Sequence, residues 1–561
     1  MCFLISFPLF SQAAYLELNL NETSGGNPFV ISKPPLEVFR VIEKAANDKK
    51  INGIVLNISA ISGLLGGSLG NSRDFLWELR SALEQFKSRG KKICAFISNA
   101  DIDIYCLASV ADKIVMDEVG TLSMLGYSVN RSYVQHSLEK LGIGVRELRY
   151  LEYKSASETF SRDSMSEADR RQYNDYLDDI FNITRYTLKN ARNWSDEAFD
   201  TVLNRDFLYS ARNAQSANLV DRVGRKDAVL EAIKEIEGAE VKHFVLYGNE
   251  SSSVLGENHL YKPAGSGGFF RRPPIIAVVY ADGQTDMERG MAALNLSQTI
   301  RELADKTRVK AIVIRINSPG GSAEAADYFA EAVRYAKQKK PVVVSMGEVA
   351  ASGGYWAAMY ASHIMATPYT ITGSIGVIAS WFYDNGLSAK LGLSSDTIQR
   401  GSHADLLTGA LLPNRNLTAD EEERYKSYIL DIYSVFTEKA AAGRGLEIEK
   451  IEASAQGRIF SGTRALEAGL IDSIGGLSDA LRMARSLAKI TENRKVKYEE
   501  YPKPGFFDKL LERIPFVSAF LNKRGQANTF SLLADILLPD ADILYRLENN
   551  GKVMPILPLG Y

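Results

Sequence analysis

Two short stretches of the sequence hold residue types that could act together in nucleophilic catalysis. In "MGEVAASGGYW" (346–356), a single serine, Ser352, follows a run of small residues and precedes two glycines. A serine hydroxyl becomes a useful nucleophile only when a neighbouring base takes its proton. A serine at this place could equally be the N-cap of a helix, because serine is a favoured capping residue. The local sequence leaves both interpretations open.

A base for this serine has to be found elsewhere in the chain. None of the five histidines lies in a recognisable triad context, although spatial neighbours do not show in a sequence. Lysine is the alternative, provided that its pKa falls from about 10.4 toward about 7. Burial among apolar side chains has this effect, and Lys154 lies between Tyr150, Leu151 and Tyr153 on one side and Phe160 on the other. The alternative interpretation is an ordinary surface lysine.

The third requirement is a set of backbone N–H groups aimed at one point, because these stabilise a developing oxyanion. Gly353 directly follows Ser352 and begins a segment of helical composition, whose N-terminus favours negative charge. We expect the second donor in the turn "NSPGG" (317–321), at Gly320 or Gly321, where glycine lets the backbone approach a substrate closely. A plain type II turn is the alternative interpretation of "SPGG".

An internal repeat indicates how these stretches are positioned. Each copy has a β-branched run, a polar turn, a helix-patterned stretch and another apolar strand, which is typical of an α/β unit with largely parallel pairing. The matching segments are 51–63 with 309–321, 105–129 with 355–379, and 207–224 with 459–476. The sequence therefore predicts two tandem α/β domains that form a covalent pseudo-dimer.

The repeat also predicts the domain boundaries. At 561 residues the chain is too long for one ordinary core. We assign residues 14–245 to the first copy, 274–490 to the second copy, and 491–561 to a C-terminal extension. Residues 246–273 are rich in Gly, Ser, Asn and Pro, as expected for a linker.

Residues 1–13 form a separate, unusual segment. They begin with about ten apolar and uncharged residues, roughly half of what a membrane span needs, and they lack the positive region of a signal peptide. The truncated end of a membrane anchor and a short signal-like segment are both open interpretations. The amphipathic stretch 506–521 is expected to pack as a terminal helix, with contact to lipid as the alternative.

The two copies differ at the positions that could do chemistry. Ser352 corresponds to Ile102, and Gly353 corresponds to Asp103. The region of the second copy comparable to that of Lys154, residues 391–424, contains no lysine. We therefore expect the first copy to supply a base and the second copy a nucleophile, with Lys154 reaching Ser352 across the interface between copies.

Four motifs in this order, together with the repeat, resemble the signal peptide peptidase A (protease IV) family, peptidase family S49, in its long two-copy form. The motifs are "YKSASETF", "INSPGGS", "AASGGYW" and "TGSIGV". The resemblance implies tandem ClpP/crotonase-like domains and a Ser–Lys dyad with Ser352 as nucleophile and Lys154 as general base. It also implies that Ser374, in "TGSIG", lies near the lysine amine.

The resemblance further implies a membrane-associated serine endopeptidase that degrades cleaved signal peptides. Its catalytic domains would lie on the periplasmic side of the bacterial cytoplasmic membrane, and it would assemble as a homotetramer without cofactor or metal. From composition we expect extended, apolar peptide substrates, bound in clefts near Tyr355 and Trp356. The expected anchor is missing or cut short at residue 1.

Composition argues against several other classes of protein. The net charge of −2 provides no electrostatic case for nucleic-acid binding. Three cysteines make no disulfide framework, and Cys94 and Cys106 lack common zinc spacing, so we expect them to be core residues. Two alternatives remain: a crotonase-like enzyme acting on acyl-CoA thioesters through carboxylates, and a membrane-associated scaffold with a decayed site.

Overall fold

The computed structural model describes residues 14–19, 36–49, 51–58, 73–238, 245–247, 273–491 and 494–503. The predictions for residues 1–13, for most of the linker and for 506–521 lie outside these residues. Each copy is built around its own mainly parallel sheet, with helices against both faces. The predicted class, two tandem α/β domains, is confirmed.

The first copy forms a seven-stranded sheet in the order β6-β4-β3-β2-β1-β8, with β7 beside β4. Its strands are β1 (Ala14–Asn19), β2 (Gly53–Ile58), β3 (Lys92–Ala100), β4 (Lys113–Ser123), β5 (Ile143–Leu148), β6 (Leu208–Ser210), β7 (Arg222–Val223) and β8 (Val245–Tyr247), of which β5 lies outside this sheet. Its helices are α1 (Leu36–Asn47), α2 (Arg73–Ser88), α3 (Ile102–Ala108), α4 (Gln135–Leu141), α5 (Glu158–Ser161), α6 (Glu167–Arg192), α7 (Asp196–Asn204), α8 (Ala211–Ser216) and α9 (Lys226–Glu237).

The second copy repeats this order as β15-β13-β11-β10-β9-β17, with β12 beside β11 and β16 beside β12. Its strands are β9 (Ile275–Asp282), β10 (Val309–Ser318), β11 (Val342–Ala351), β12 (His363–Ala366), β13 (Ile371–Gly373), β14 (Ala379–Asp384), β15 (Ile459–Ser461), β16 (Ser473–Ile474) and β17 (Lys497–Tyr501), of which β14 lies outside the sheet. Its helices are α10 (Ala293–Asp305), α11 (Ala323–Lys337), α12 (Gly353–Ala358), α13 (Leu387–Leu391), α14 (Ala419–Arg444), α15 (Ile448–Ala453), α16 (Gly462–Glu467) and α17 (Leu477–Leu487).

The central strands are near-continuous apolar runs because both faces of each sheet are covered. In β10, Ile312, Val313 and Ile314 are all fully buried, and their side chains alternate between the two cores. Ser322 caps the helix that follows, because its Oγ accepts the N–H of Ala325 at 3.3 Å. The strand-to-helix turn at the end of β10 is thereby fixed next to residues 317–321.

The second sheet continues past residue 490, where the sequence places the end of this copy. Strand β17 pairs in parallel with β9, just as β8 pairs with β1 in the first copy. The repeated unit therefore includes an edge strand at the C-terminal end of each copy. Sequence comparison misses it because β8 and β17 are short and follow segments of different composition.

The two copies are joined by a shared sheet and by a buried ion cluster. Strand β5 of the first copy pairs antiparallel with β14 of the second. Arg315 on β10 is buried and reaches two carboxylates of α2, with Nη2 2.8 Å from Asp74 Oδ2 and Nη1 2.6 Å from Glu78 Oε1. Because unpaired buried charges are strongly destabilising, this cluster favours a single relative placement of the copies.

One further sequence prediction concerns the described residues. Cys94 and Cys106 are buried, as predicted. Among the described residues, no helix is long and apolar enough to cross a membrane.

Candidate active site

Ser352 lies at the turn between β11 and α12, in a backbone conformation that is rare for a residue with a side chain. Its φ is 53° and its ψ is −118°, and its N–H donates to the O of Gly373 at 2.9 Å. It occupies the N-cap position of α12, but its side chain makes no capping hydrogen bond. A non-glycine residue with positive φ is strained and is frequent at functional sites. Ser352 therefore occupies the N-cap position, as the capping interpretation predicts. Its hydroxyl does not cap the helix and is free for another contact.

Lys154 lies in the loop that joins β5 to α5, and this loop is pressed against the second copy. The N–H of Tyr153 donates to the O of Gln456 at 2.9 Å. A Cβ on Gly457 would come within 2.7 Å of the backbone N of Lys154, so only glycine permits this approach. The lysine backbone is thus held by residues that are about 300 positions away in the chain.

The structure brings Lys154, Ser352 and Ser374 together. Lys154 Nζ lies 2.9 Å from Ser352 Oγ, 2.8 Å from the O of Ser374 and 2.9 Å from Ser374 Oγ. Ser374 also has a positive φ, 50°, which turns its carbonyl and its hydroxyl toward the same amine. The hydroxyl groups of Ser352 and Ser374 are therefore both within hydrogen-bond distance of Lys154 Nζ.

Burial changes the acid–base behaviour of Lys154. The side chain is 6% exposed, and burial lowers its pKa from 10.5 to about 7. No charged neighbour contributes to this shift, so loss of hydration is its only cause. The three contacts also match a neutral amine, which has two N–H donors for the two oxygen atoms of Ser374 and one lone pair for the Ser352 hydroxyl. A lysine in this state can accept a proton near neutral pH.

The predicted glycines surround Ser352. A Cβ on Gly320 would lie 2.7 Å from the Cβ of Ser352, and a Cβ on Gly353 would lie 3.3 Å from the N of Gly321. The N–H of Gly320 points to Ser318 Oγ at 3.3 Å. Within the described part of the chain, the N–H groups of Gly321 and Gly353 donate to no protein acceptor. Two backbone donors that lack a protein acceptor therefore lie close to each other beside Ser352.

The surroundings of Ser352 differ from the expected open apolar cleft. Tyr355 and Trp356 do not line an open cleft: Tyr355 is fully buried, and Trp356 stacks on Phe436 at 4.2 Å. They are core residues because α12 packs its apolar face against α11 and α14. No histidine among the described residues contacts Ser352, and His243 and His259 lie outside those residues.

Sequence reasoning missed two residues that hold the lysine loop, Gly457 and Gln172. Both could have been found by the comparison of the two copies that singled out Ser352. At the offset of about 251 that aligns β6 with β15, Gly457 corresponds to Asp206. Helices α6 and α14 are equivalent elements of the two copies, and there Gln172 corresponds to Arg424. Each residue type is specific to one copy, as for Ser352.

Comparisons with known proteins agree with the repeat. The sequence model described as Peptidase family S49 matches residues 85–242 and 334–491, one segment in each copy and together more than half of the chain. The chain is 32% identical over 475 residues to the chloroplastic serine protease SPPA of Arabidopsis thaliana, covering 82% of this chain and 67% of that protein. It is 29% identical over 472 residues to Protease 4 of Haemophilus influenzae, covering 82% of this chain and 74% of that protein.

Among solved structures, a ClpP1 mutant from Listeria monocytogenes matches at 19% identity with a TM-score of 0.26, over 36% of this chain and 94% of that one. This likeness is too low to support an argument. The family match and the two long alignments decide the assignment. The chain therefore belongs to peptidase family S49 and is a serine protease.

Proposed function

We propose that the protein is a membrane-associated serine endopeptidase in which Lys154 activates Ser352, and that it degrades cleaved signal peptides and other extended apolar peptides. The observation that carries this proposal is the 2.9 Å distance between Lys154 Nζ and Ser352 Oγ, at a lysine whose pKa is about 7. A base with a pKa near the working pH combines the correct protonation state with a useful driving force.

In the acylation step, Ser352 Oγ attacks the scissile carbonyl carbon while Lys154 Nζ takes the hydroxyl proton. The tetrahedral intermediate carries its negative charge on the former carbonyl oxygen. The N–H groups of Gly353 and Gly321 stabilise this charge, since Gly320 donates to Ser318 Oγ instead. The C–N bond then breaks, and the ammonium of Lys154 gives its proton to the leaving amine.

In the deacylation step, Lys154 is neutral again and takes a proton from an incoming water. The resulting hydroxide attacks the ester formed on Ser352, and the same two backbone amides stabilise the second intermediate. Lys154 returns the proton to Ser352 Oγ as the ester bond breaks. Ser374 holds the amine throughout, with its O and its Oγ as acceptors.

The alternative of a crotonase-like acyl-CoA enzyme is less well supported by this site. That chemistry uses carboxylates as acid and base, and no carboxylate contributes to the pKa shift of Lys154. A decayed scaffold would have no reason to retain a strained serine beside a buried lysine.

The proposal is tested with a fluorogenic peptide that has an extended apolar sequence. Cleavage by the wild type should fall by about 100-fold or more in Ser352→Ala and in Lys154→Met, because each variant removes one half of the dyad. Ser434→Ala is the matched control, since Ser434 Oγ is exposed and contacts Glu438 on its own helix. Full activity in Lys154→Met would show that the base is another group.

Assembly as a homotetramer is part of the proposal and is supported by the repeat. Strand β5 of the first copy pairs with β14, whereas its counterpart in the second copy, residues 393–398, forms no strand. This region exposes five large apolar side chains: Leu391, Leu393, Ile398, Leu407 and Leu411. A surface of this kind indicates a protein partner, and the repeat indicates that the partner is a second copy. Light scattering should give the mass of four chains, and Ile398→Asp should reduce it.

Attachment to the bacterial cytoplasmic membrane, with the catalytic domains on the periplasmic side, completes the proposal. It is supported by the likeness to bacterial Protease 4. The test is fractionation of cells that produce the natural full-length protein, followed by digestion of intact spheroplasts with an added protease. Protection of the catalytic domains in spheroplasts would contradict the periplasmic placement.

A further inference from the structure

The side chain of Gln172, on α6, is buried directly behind the Lys154 loop and is 2% exposed. Its Nε2 lies 3.3 Å from the O of Tyr153 and 3.1 Å from Ser155 Oγ, in the two residues that flank Lys154, and 2.9 Å from Asp169 Oδ1 on its own helix. Its Oε1 accepts a hydrogen bond of 3.1 Å from the N–H of Ile459, on β15 of the second copy. Because a backbone N–H can only donate, this contact fixes the orientation of the carboxamide.

Ile459 leads to the other group that holds the lysine amine. It pairs with Gly373 across β15 and β13, and the next residue is Ser374. Ser374 receives Lys154 Nζ through both its O and its Oγ. The carboxamide of Gln172 is therefore bonded directly to the loop that carries Lys154, and it is linked through Ile459 to the turn that receives the lysine amine.

The internal repeat shows that Gln172 is not required by the helix itself. Helices α6 and α14 each have 26 residues, and Gln172 and Arg424 are the sixth residue of each. The third residues, Asp169 and Glu421, are both acidic, and each backbone N–H bonds the N-cap side chain. Arg424 is instead exposed and pairs with Asp420. The buried glutamine occurs only in the copy that carries the lysine.

We infer that Gln172 is a positioning residue for Lys154, which sets the place of the amine relative to Ser352 by bonding the base loop to the second copy. It touches neither substrate nor reacting atoms. This inference rests on the Ser352–Lys154 chemistry proposed above. A displacement of about 1 Å between reacting groups can lower a rate by up to about 100-fold, so the bonds of one carboxamide can affect catalysis strongly.

The charged groups around the base loop are paired with one another. The pairs are Arg131 with Asp169, Arg149 with Glu158, and Arg458 with Asp175. Burial alone lowers the pKa of Lys154. When the loop is released from Gln172, water reaches the amine and its pKa rises toward 10.5. A variant of Gln172 should therefore both misplace the amine of Lys154 and leave less of it neutral at pH 7. Because the second effect depends on pH, a pH profile distinguishes it from a general loss of folded protein.

The test measures kcat and KM across pH 6–10 for Gln172→Met and Gln172→Glu. Methionine keeps the length of the side chain and removes all of its hydrogen bonds. Glutamate keeps the acceptor for Ile459 but cannot donate to Tyr153, Ser155 or Asp169, and its charge also favours the ammonium form of Lys154, so the uncharged methionine variant decides the origin of a pH shift. At pH 7 we expect kcat to fall about tenfold with KM changed by less than about twofold. The midpoint of the acid limb should move to higher pH, so that the deficit shrinks toward pH 9.5. The rate at which a fluorophosphonate labels Ser352 should shift in the same way.

The matched control is Arg424→Met, the same kind of change at the equivalent position of α14, which should leave kcat and the pH midpoint unchanged. The inference is overturned if both Gln172 variants keep wild-type kcat and midpoint, or lose activity by one constant factor at every pH. It is also overturned if neither variant folds, because Gln172 would then be a folding residue. Wild-type activity that survives Lys154→Met would instead refute the proposed function.

Discussion

Lys154 Nζ lies 2.8 Å from the backbone O of Ser374 and 2.9 Å from its Oγ, although the two residues belong to different copies of the repeat. The amine is therefore aimed at Ser352 Oγ before any substrate binds. Such preorganisation lowers the reorganisation needed in the transition state. It also divides the site into parts that single substitutions can test.

Ser374→Ala removes one of the two acceptors of the lysine amine and leaves the backbone acceptor in place. We expect kcat to fall about tenfold at pH 7 with little change in KM, since a partly released amine is less well aimed at Ser352. Steady-state kinetics with the fluorogenic peptide measure this effect. An unchanged kcat would mean that the carbonyl of Ser374 alone positions the amine.

The wild-type pH profile follows from the sign of the lysine shift. Lys154 must be neutral to accept the proton of Ser352, and its pKa is about 7. The value of kcat/KM should therefore rise about tenfold per pH unit below pH 7 and level off above it. The measurement is kcat/KM from pH 5 to pH 9 in buffers of constant ionic strength. A midpoint near 10 would show that the lysine is hydrated in solution.

Gly320→Ala should inactivate the enzyme through contact with the nucleophile. The φ of Gly320 is 106°, and the added Cβ would lie 2.7 Å from the Cβ of Ser352 and 2.9 Å from the N of Gly353. Displacing both groups should lower kcat/KM by about 100-fold or more. Gly386→Ala is the control, because φ is 111° there and nothing lies within 4 Å, so strain is similar without a clash. Equal losses in both variants would assign the effect to backbone strain.

Lys154→Met should make the protein more stable at neutral pH while abolishing activity. The unfolded lysine has its pKa near 10.5 and the folded one near 7, so between these values the unfolded chain binds more protons. Wild-type stability therefore rises with pH over this window. The variant should gain up to about 4 kcal/mol in the free energy of unfolding at pH 7, less what its lost hydrogen bonds contributed.

This stability gain should shrink as the pH approaches 10, because the wild type then no longer has to deprotonate the lysine on folding. Urea denaturation at pH 7 and pH 9.5 measures both values. Lys426→Met is the control, since Lys426 is partly exposed and, within the described residues, its ion pair is with Glu423 on its own helix. A variant that is less stable than the wild type at pH 7 would contradict the cost assigned to burying Lys154.

The sequence by itself determined the α/β repeat and the residues worth testing. The repeat is readable because apolar runs and helix periodicity are local properties of a chain. Ser352 and Lys154 stand out because the duplicated copy shows what the same positions look like without them, as at Ile102. A second copy within one chain serves as an internal comparison.

Only the tertiary structure decided the geometry of the site. Ser352 and Lys154 are separated by 198 residues, and their 2.9 Å contact depends on how two sheets pack. The pKa of the lysine depends on the water that this packing removes, which no local pattern records. The burial of Trp356 and the bridging contacts of Gln172 were beyond sequence reasoning for the same reason: each is a property of side chains brought together from both copies.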